Sequence, residues 1–401
     1  MFLKENIIYK MESRSFFIIL TDMGMGGVTT AAVNFCNGLY ERKNKVDVLV
    51  MDDRCSGEEV RFADGINVFH LKGKDRLWNL NPVTIKREQN TIKRLFLSVL
   101  GVFKKLINRK SRWMRMIFGK KIRFGGYDVV IAYRQCAPCY HFALNCVEAE
   151  KKVAFVHGDI EFMGDISTWR KYMNSFDAVA YVSDAVKNGF VDKYPELSKN
   201  AVTVYNVFDT ESIIEKSSMI PNIEFDSQKF NIVTVSRIEN TMKGTGRIPY
   251  ICKKLKDKYN NVFHWYVVGG GPDLEGNVEL SSNLGVNEHL TFLGADDNPY
   301  KVMKRCDLCV LPTLTEAFPM IVGESLILGI PIVTSRYPAA GEIIVDSENG
   351  LIAEQSVDSI FEKISELMDD TQLYSLIKEN CERFVYDNDR SFNQLMEALY
   401  K

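Results

Sequence analysis

Two glutamates, Glu316 and Glu324, are the residues whose type and spacing point most directly to chemistry. They lie in Leu311-Pro312-Thr313-Leu314-Thr315-Glu316-Ala317-Phe318-Pro319-Met320-Ile321-Val322-Gly323-Glu324-Ser325-Leu326, which reads as a strand end, a loop and the opening of a helix. Pro319 suits a first helical turn, where its missing N–H costs nothing. The loop N–H groups and the positive end of the helix favour an anionic ligand. A carboxylate offers two acceptor oxygens to a pair of hydroxyls, so two carboxylates at this separation can hold two polyols at opposite ends of one ligand. Both could instead be surface glutamates, but Glu324 falls in an apolar helix, where an unpaired charge is costly.

Three further loops carry residues of the right type. Ser236-Arg237-Ile238-Glu239-Asn240-Thr241-Met242-Lys243-Gly244 follows an apolar run and places two cations where they could clamp a diphosphate, Arg237 as a planar fork and Lys243 as a point charge. Alone it could equally be a solvated basic loop. Val268-Gly269-Gly270-Gly271-Pro272-Asp273 marks either close backbone packing or close approach of a ligand. Thr21-Asp22-Met23-Gly24-Met25-Gly26-Gly27-Val28-Thr29-Thr30 opens a helix whose free N–H groups suit an anion. It has neither dinucleotide-binding nor P-loop spacing.

These loops need a scaffold that puts them at strand ends. Short apolar runs alternate with helical stretches, the pattern of parallel sheets with crossover helices. Strands are expected at Phe16–Leu20, Val46–Met51, Val129–Ala132, Val153–Val156, Ala178–Val182 and Val202–Tyr205 in the first half. In the second half they are expected at Ile232–Val235, His264–Val268, Leu290–Leu293, Leu308–Leu311 and Ile332–Thr334. The runs are nearly continuous, as strands covered on both faces should be. A polar stretch from Asn206 to Gln228 reads as the linker. The expected organisation is a first α/β domain over 1–208, a second over 209–385, and a terminal helix over 386–401 that packs back on the first domain. Two such domains create a cleft at the carboxyl ends of their sheets, where ligands of open α/β folds bind.

At 401 residues the chain is long enough for two domains, and 46% hydrophobic and 25% charged residues describe a globular protein. A net charge of -2 gives the whole chain no nucleic-acid signature. Residues 1–14 lack the apolar core of a signal peptide and no run is long enough to span a bilayer, so the expected location is cytoplasmic. Nine scattered cysteines fit a reducing compartment. Cys136/Cys139, with His141 and Cys146 nearby, and Cys306/Cys309 could make a zinc site only if both pairs met in space, and Cys306-Asp-Leu-Cys309 leads into a strand. Buried free thiols and no metal are expected.

The E-x7-E element Glu316…Glu324, with Ala-Phe-Pro after its first glutamate, resembles that of the retaining glycosyltransferases of family 4. So do Asp307-Leu-Cys-Val-Leu-Pro312, Gly329-Ile-Pro331, Asn349-Gly350-Leu351, Ser236-Arg237…Lys243-Gly244 and Val268-Gly-Gly-Gly-Pro272. The likeness covers most of 230–355. In the first half it is confined to Gly26-Gly27, Phe155-Val-His157-Gly-Asp159 and Asn206…Asp209. It implies the α/β GT-B fold, two Rossmann-like domains facing across a cleft, with the acceptor on the first and the nucleotide sugar on the second. It implies that Gly27 gives a backbone N–H to the donor phosphates, Arg237 and Lys243 neutralise the diphosphate, Glu316 with the Phe318-Pro319-Met320 backbone holds the transferred sugar, and Gly26 and Gly270 also border the donor. Glu324 is then on the ribose hydroxyls and His157 beside the donor sugar. Ala317 stands where the family usually has Gly, which bears on donor preference. The implied reaction is metal-independent transfer of a hexosyl-type sugar from a nucleotide-diphosphate sugar, a co-substrate with no separate cofactor. Attack comes on the face of the leaving group, and a phosphate oxygen takes the acceptor proton. Preorganised cations suit the charge that develops on the departing diphosphate. Other readings are a GT-B epimerase or inverting transferase, or a non-catalytic sugar-nucleotide binder; the complete set Arg237, Lys243, Glu316 and Glu324 speaks against the last.

Residues 85–124 combine thirteen Lys and Arg with one acid, Glu88, and apolar residues at helical spacing from Ile92 to Ile107. This is the pattern of an interfacial helix on anionic lipid, or of a core helix with a basic face. Docking on the inner membrane face makes a saccharide acceptor, lipid-linked as in polysaccharide assembly, the expected partner.

Overall fold

A computed structural model describes residues 13–24, 26–52, 61–71 and 124–400. The basic segment 85–124 lies outside them apart from Phe124, which opens a strand. The chain divides into two compact units. One takes the described residues of 1–182 with 187–207 and 389–401; the other takes 183–186 and 208–388.

The first unit is built on β1 (Ser15–Asp22), β2 (Lys45–Asp52), β3 (Asn67–His70), β4 (Phe124–Ala132), β5 (Val147–Val156), β6 (Ala178–Tyr181) and β7 (Ala201–Thr203). They pair in the order β3-β2-β1-β4-β5-β6-β7, all parallel. The second unit holds β8 (Phe230–Val235), β9 (Phe263–Val268), β10 (Leu290–Gly294), β11 (Leu308–Leu311), β12 (Ile332–Ser335) and β13 (Gly350–Ala353). Their order is β10-β9-β8-β11-β12-β13, again all parallel. Each sheet grows outward from its first strand in both directions. That reversal leaves a switch point between β1 and β4 in one unit and between β8 and β11 in the other, the place where open α/β sheets take ligands.

The central strands are apolar on both faces because helices cover both. Phe16 to Ile19 and Ile232 to Val233 are fully buried. Polar groups buried in the second sheet are paired: the Trp265 indole N–H donates to Thr234 Oγ1 at 3.1 Å, and that hydroxyl donates to the Val310 carbonyl at 2.7 Å. The helix Asn388–Tyr400 belongs to the first unit from Asp389 onward. Its Phe392 stacks on Phe35 at 5.5 Å, and Gln394 Oε1 accepts the Tyr205 N–H at 3.3 Å.

Two strands, β3 and β13, were not expected. Each is an edge strand of four residues. Asn67–His70 alternates exposed and half-buried positions, so it lacks the continuous apolar run that marks a strand covered on both faces. The stretch Asn206–Gln228 is not all linker. It contains the helix Thr210–Ser217, whose N-cap Asp209 accepts the Ser212 N–H at 2.9 Å. Among the described residues, no helix is long and apolar enough to cross a membrane.

Candidate active site

In the second unit the loops after β8 and β11 emerge side by side at the switch point. They are stitched by main-chain bonds: the Leu314 N–H donates to the Met242 carbonyl at 2.8 Å, and Thr313 Oγ1 donates to the same carbonyl at 2.9 Å. Gly244 makes this closeness possible. It has φ 60°, and a Cβ there would fall 2.1 Å from the Pro312 carbonyl oxygen. The Lys243 ammonium reaches Glu316 Oε1 at 2.6 Å, with side chains 27% and 11% exposed. Thr313 Oγ1 is 3.4 Å from the same oxygen. Sequence therefore brings a cation and an anion from two loops into one ion pair.

Arg237 stands apart from this pair. Its guanidinium is 3.9 Å from Glu239, and its side chain is 67% exposed. The loop that bears it is held from below: Ile238 N–H donates to the Gly270 carbonyl at 3.0 Å, and Asn240 N–H donates to Asp273 at 2.7 Å. The glycine run at 269–271 is thus explained in part by packing. A Cβ on Gly269 or Gly271 would lie 1.8 or 2.1 Å from the carbonyl oxygens of Ser236 and Ile238, whereas one on Gly270 meets only Ala295 at 3.6 Å.

Pro319 caps the helix Met320–Ile327, one position before its first residue, and no side chain caps the helix start. Phe318 and Met320 are buried. Glu324, inside this helix, is 8% exposed, and the Tyr300 hydroxyl donates to its Oε1 at 2.9 Å. This partner helps offset the cost of a charge in an apolar helix. Sequence reasoning missed Tyr300, which lies 24 positions away and opens the short helix Tyr300–Met303.

In the first unit the loops after β1 and β4 meet at the other switch point. Gly26 is the N-cap of the helix Gly27–Glu41, with open space where a Cβ would stand. Its carbonyl takes the N–H groups of Thr29 and Thr30. The Arg134 guanidinium donates to Thr29 Oγ1 at 3.0 Å and lies 3.8 Å from Asp22. Beside it, Gln135 Oε1 accepts the His157 main-chain N–H at 3.2 Å. The His157 ring stacks on Phe155 and meets Tyr133 at a tilt, 4.7 Å between ring centres. Burial first, then the Arg134 charge, pushes its pKa down to about 3, against a hydrogen bond to the Tyr133 backbone that works the other way. The ring is therefore neutral, and its Nε2 is closed off from solvent with no protein partner. Arg134 and Gln135 were not singled out from sequence, because nothing in their spacing marks them as neighbours of Thr29 and His157.

Among the described residues no group of His, Cys, Asp and Glu is placed to hold a metal ion. Cys309 lies in β11 and Cys306 just before it, both buried.

Residues 215–384 match the model of the family described as glycosyl transferases group 1. The chain is similar to N-acetyl-alpha-D-glucosaminyl L-malate synthase of Bacillus anthracis, 24% identical over 270 residues that cover 64% of this chain and 68% of that protein. It is also similar to N-acetylgalactosamine-N,N'-diacetylbacillosaminyl-diphospho-undecaprenol 4-alpha-N-acetylgalactosaminyltransferase of Campylobacter jejuni, 27% identical over 185 residues, 46% of this chain and 48% of that one. Among solved structures, S. aureus TarM, crystallised as a mutant with Fondaparinux, alpha-GlcNAc-glycerol and UDP, superposes with TM-score 0.70 at 12% identity, covering 97% of this chain and 100% of that chain. Anabaena HepE in complex with UDP and glucose gives 0.67 at 17% identity, covering 96% and 99%. The fold is GT-B, and the matches support a glycosyltransferase.

Proposed function

We propose that this protein is a retaining, metal-independent glycosyltransferase that moves a hexosyl-type sugar from a nucleotide-diphosphate sugar to a saccharide acceptor. The observation that carries this reading is the Lys243–Glu316 pair, 2.6 Å long, under two loops at the switch point of the second sheet. Lys243 supplies positive charge for a diphosphate, and Glu316 supplies two oxygens for sugar hydroxyls. Arg237, exposed on the neighbouring loop, is the second cation. Glu324, whose Oε1 accepts from the Tyr300 hydroxyl, is the contact for the ribose hydroxyls in this reading. The Phe318-Pro319-Met320 backbone borders the sugar, and the resemblance extends the donor contacts to Gly270, Gly26 and Gly27. The neutral His157 ring stands beside the donor sugar in this reading.

Breaking the sugar–phosphate bond leaves negative charge on the departing diphosphate. Lys243 and Arg237 stabilise that charge, which is greater in the transition state than in the ground state. A phosphate oxygen of the leaving group takes the acceptor proton as the acceptor attacks on the same face.

The acceptor in this proposal is lipid-linked and the pathway one of cell-surface polysaccharide assembly. The name of the Campylobacter relative, which specifies a diphospho-undecaprenol substrate, favours it. The basic composition of 85–124 favours a peripheral place on the inner membrane face. A screen of nucleotide sugars with purified protein, following nucleoside diphosphate release with and without lipid-linked acceptors and with a chelator present, tests the reading. Product anomers that are inverted, or turnover abolished by the chelator, overturn the retaining or the metal-independent part. Equal recovery on neutral and anionic vesicles overturns the membrane part.

A further inference from the structure

We propose that Gln355 is a positioning residue for the reaction: its side-chain amide holds the loop that carries Glu316 against the loop that carries Lys243. The inference rests on the glycosyl-transfer reading and adds a residue to the same site. Gln355 follows β13, which ends at Ala353, and directly precedes Ser356, the N-cap of the helix Val357–Asp369. It is exposed. A glutamine in such a place ordinarily gives its amide to water, because ordering a long side chain costs entropy.

Here the amide reaches three other loops. Nε2 donates to the Thr313 carbonyl at 3.1 Å, to the Leu314 carbonyl at 3.2 Å and to the Arg336 carbonyl, and Oε1 accepts from Arg247 Nη1 at 2.8 Å. The amide can point only one way, since a guanidinium only donates and a carbonyl only accepts. Arg247, the pair Thr313 and Leu314, Arg336 and Gln355 follow β8, β11, β12 and β13, which are consecutive neighbours in the sheet. One side chain thus ties the carboxyl-end loops of four adjacent strands.

The tie acts on the peptide group between Thr313 and Leu314. Its C=O accepts from Gln355, and its N–H donates to the Met242 carbonyl at 2.8 Å. A planar peptide held at both ends cannot turn. Met242 precedes Lys243, and Thr313 Oγ1, which donates to the same Met242 carbonyl, lies 3.4 Å from Glu316 Oε1. The four bonds of Gln355 go to neither Lys243 nor Glu316, so it acts through this peptide. The Ser335 hydroxyl also donates to the Thr313 carbonyl, so the loop keeps an anchor when Gln355 is replaced.

The test is a double-mutant cycle on the full chain: wild type, Gln355→Met, Glu316→Gln and the double variant, in steady-state transfer with the donor found in the screen, with thermal unfolding of each. Gln355→Met keeps the length of the side chain and removes all four bonds. It should lower kcat about ten-fold, since small misplacements of reacting groups are costly, and it should change KM less. The double variant should fall no more than about two-fold below Glu316→Gln, because the group that Gln355 positions is already altered, whereas independent losses multiply. Wild-type kcat in Gln355→Met, or a double variant at the product of the two single losses, overturns the role of Gln355 and leaves the glycosyl-transfer reading standing. Wild-type kcat in Glu316→Gln overturns that reading and this inference with it. Should Gln355→Met not fold, Gln355→Asn, whose amide stops one methylene short of the three carbonyls, takes its place in the cycle under the same criteria.

Discussion

Lys243 Nζ sits 2.6 Å from Glu316 Oε1, and the two residues come from loops 73 positions apart in sequence. The pair joins two groups that the proposed reaction uses for different ends of one donor. Lys243→Ala removes the charge that meets the departing diphosphate, and kcat should fall by about 10²–10³, the usual cost of one preorganised electrostatic contact. Glu316→Gln keeps the shape but removes the anion that holds Lys243 in place, and it should lower kcat as well. Steady-state kinetics with the donor found in the screen, alongside circular dichroism to show an intact fold, checks both. Unchanged turnover in Lys243→Ala removes it from the site.

Tyr300→Phe deletes only the hydroxyl that donates to Glu324 at 2.9 Å. A hydrogen bond to a charged group is worth about 1.5–3 kcal/mol, so nucleotide affinity should fall by about ten-fold or more as Glu324 loses its fixed rotamer. Because the change acts on binding through Glu324, KM should rise more than kcat falls. Calorimetric titration with nucleoside diphosphate reads this directly. If affinity holds while thermal stability drops, Tyr300 serves packing and Glu324 is not the ribose contact.

Gly244→Ala should destabilise the second unit. The position has φ 60°, and the new Cβ would lie 2.1 Å from the Pro312 carbonyl oxygen. A left-handed conformation costs a non-glycine residue on the order of 1–3 kcal/mol, before any clash with backbone. The loops after β8 and β11 must then separate, and the Lys243–Glu316 contact with them. Thermal unfolding measures the first effect. A Tm equal to that of the wild type means that the loops have room that these contacts do not allow.

The central strands and their order of appearance were legible, because Phe16–Leu20 or Leu308–Leu311 must be apolar to sit under helices on both faces. The loop positions of Lys243 and Glu316 were legible too, since both follow such runs directly. Their pairing was not, and neither was the solvent-facing position of Arg237, six residues before Lys243 in the same loop. Which side chains meet depends on how two loops from non-consecutive strands settle at the switch point. Tyr300 on Glu324 and Gln135 on the His157 backbone are of the same kind: single hydrogen bonds between distant elements, with no periodicity to announce them. Edge strands such as β3 escaped for the opposite reason, being too short and too exposed to resemble the core.

His157 makes the first unit's stability depend on pH in a specific direction. Its folded pKa is lowered from 6.5 to about 3, by burial first and then by Arg134. Between those values the unfolded chain binds a proton that the folded chain does not. Stability is therefore fully present above about pH 6.5 and is lost progressively as pH falls toward about pH 3, with a slope of up to about 1.4 kcal/mol per pH unit. His264 and His289 are lowered as well and add slopes of the same sign, so the total curve cannot be assigned to one residue. The difference between wild type and His157→Gln can. Glutamine keeps a hydrogen-bonding side chain there and has no titration, so urea unfolding at neutral pH and at about pH 4.5 should show a smaller loss of stability in the variant. Equal losses in the two proteins would mean that the His157 ring takes up its proton in the fold and is not the neutral neighbour of the donor sugar.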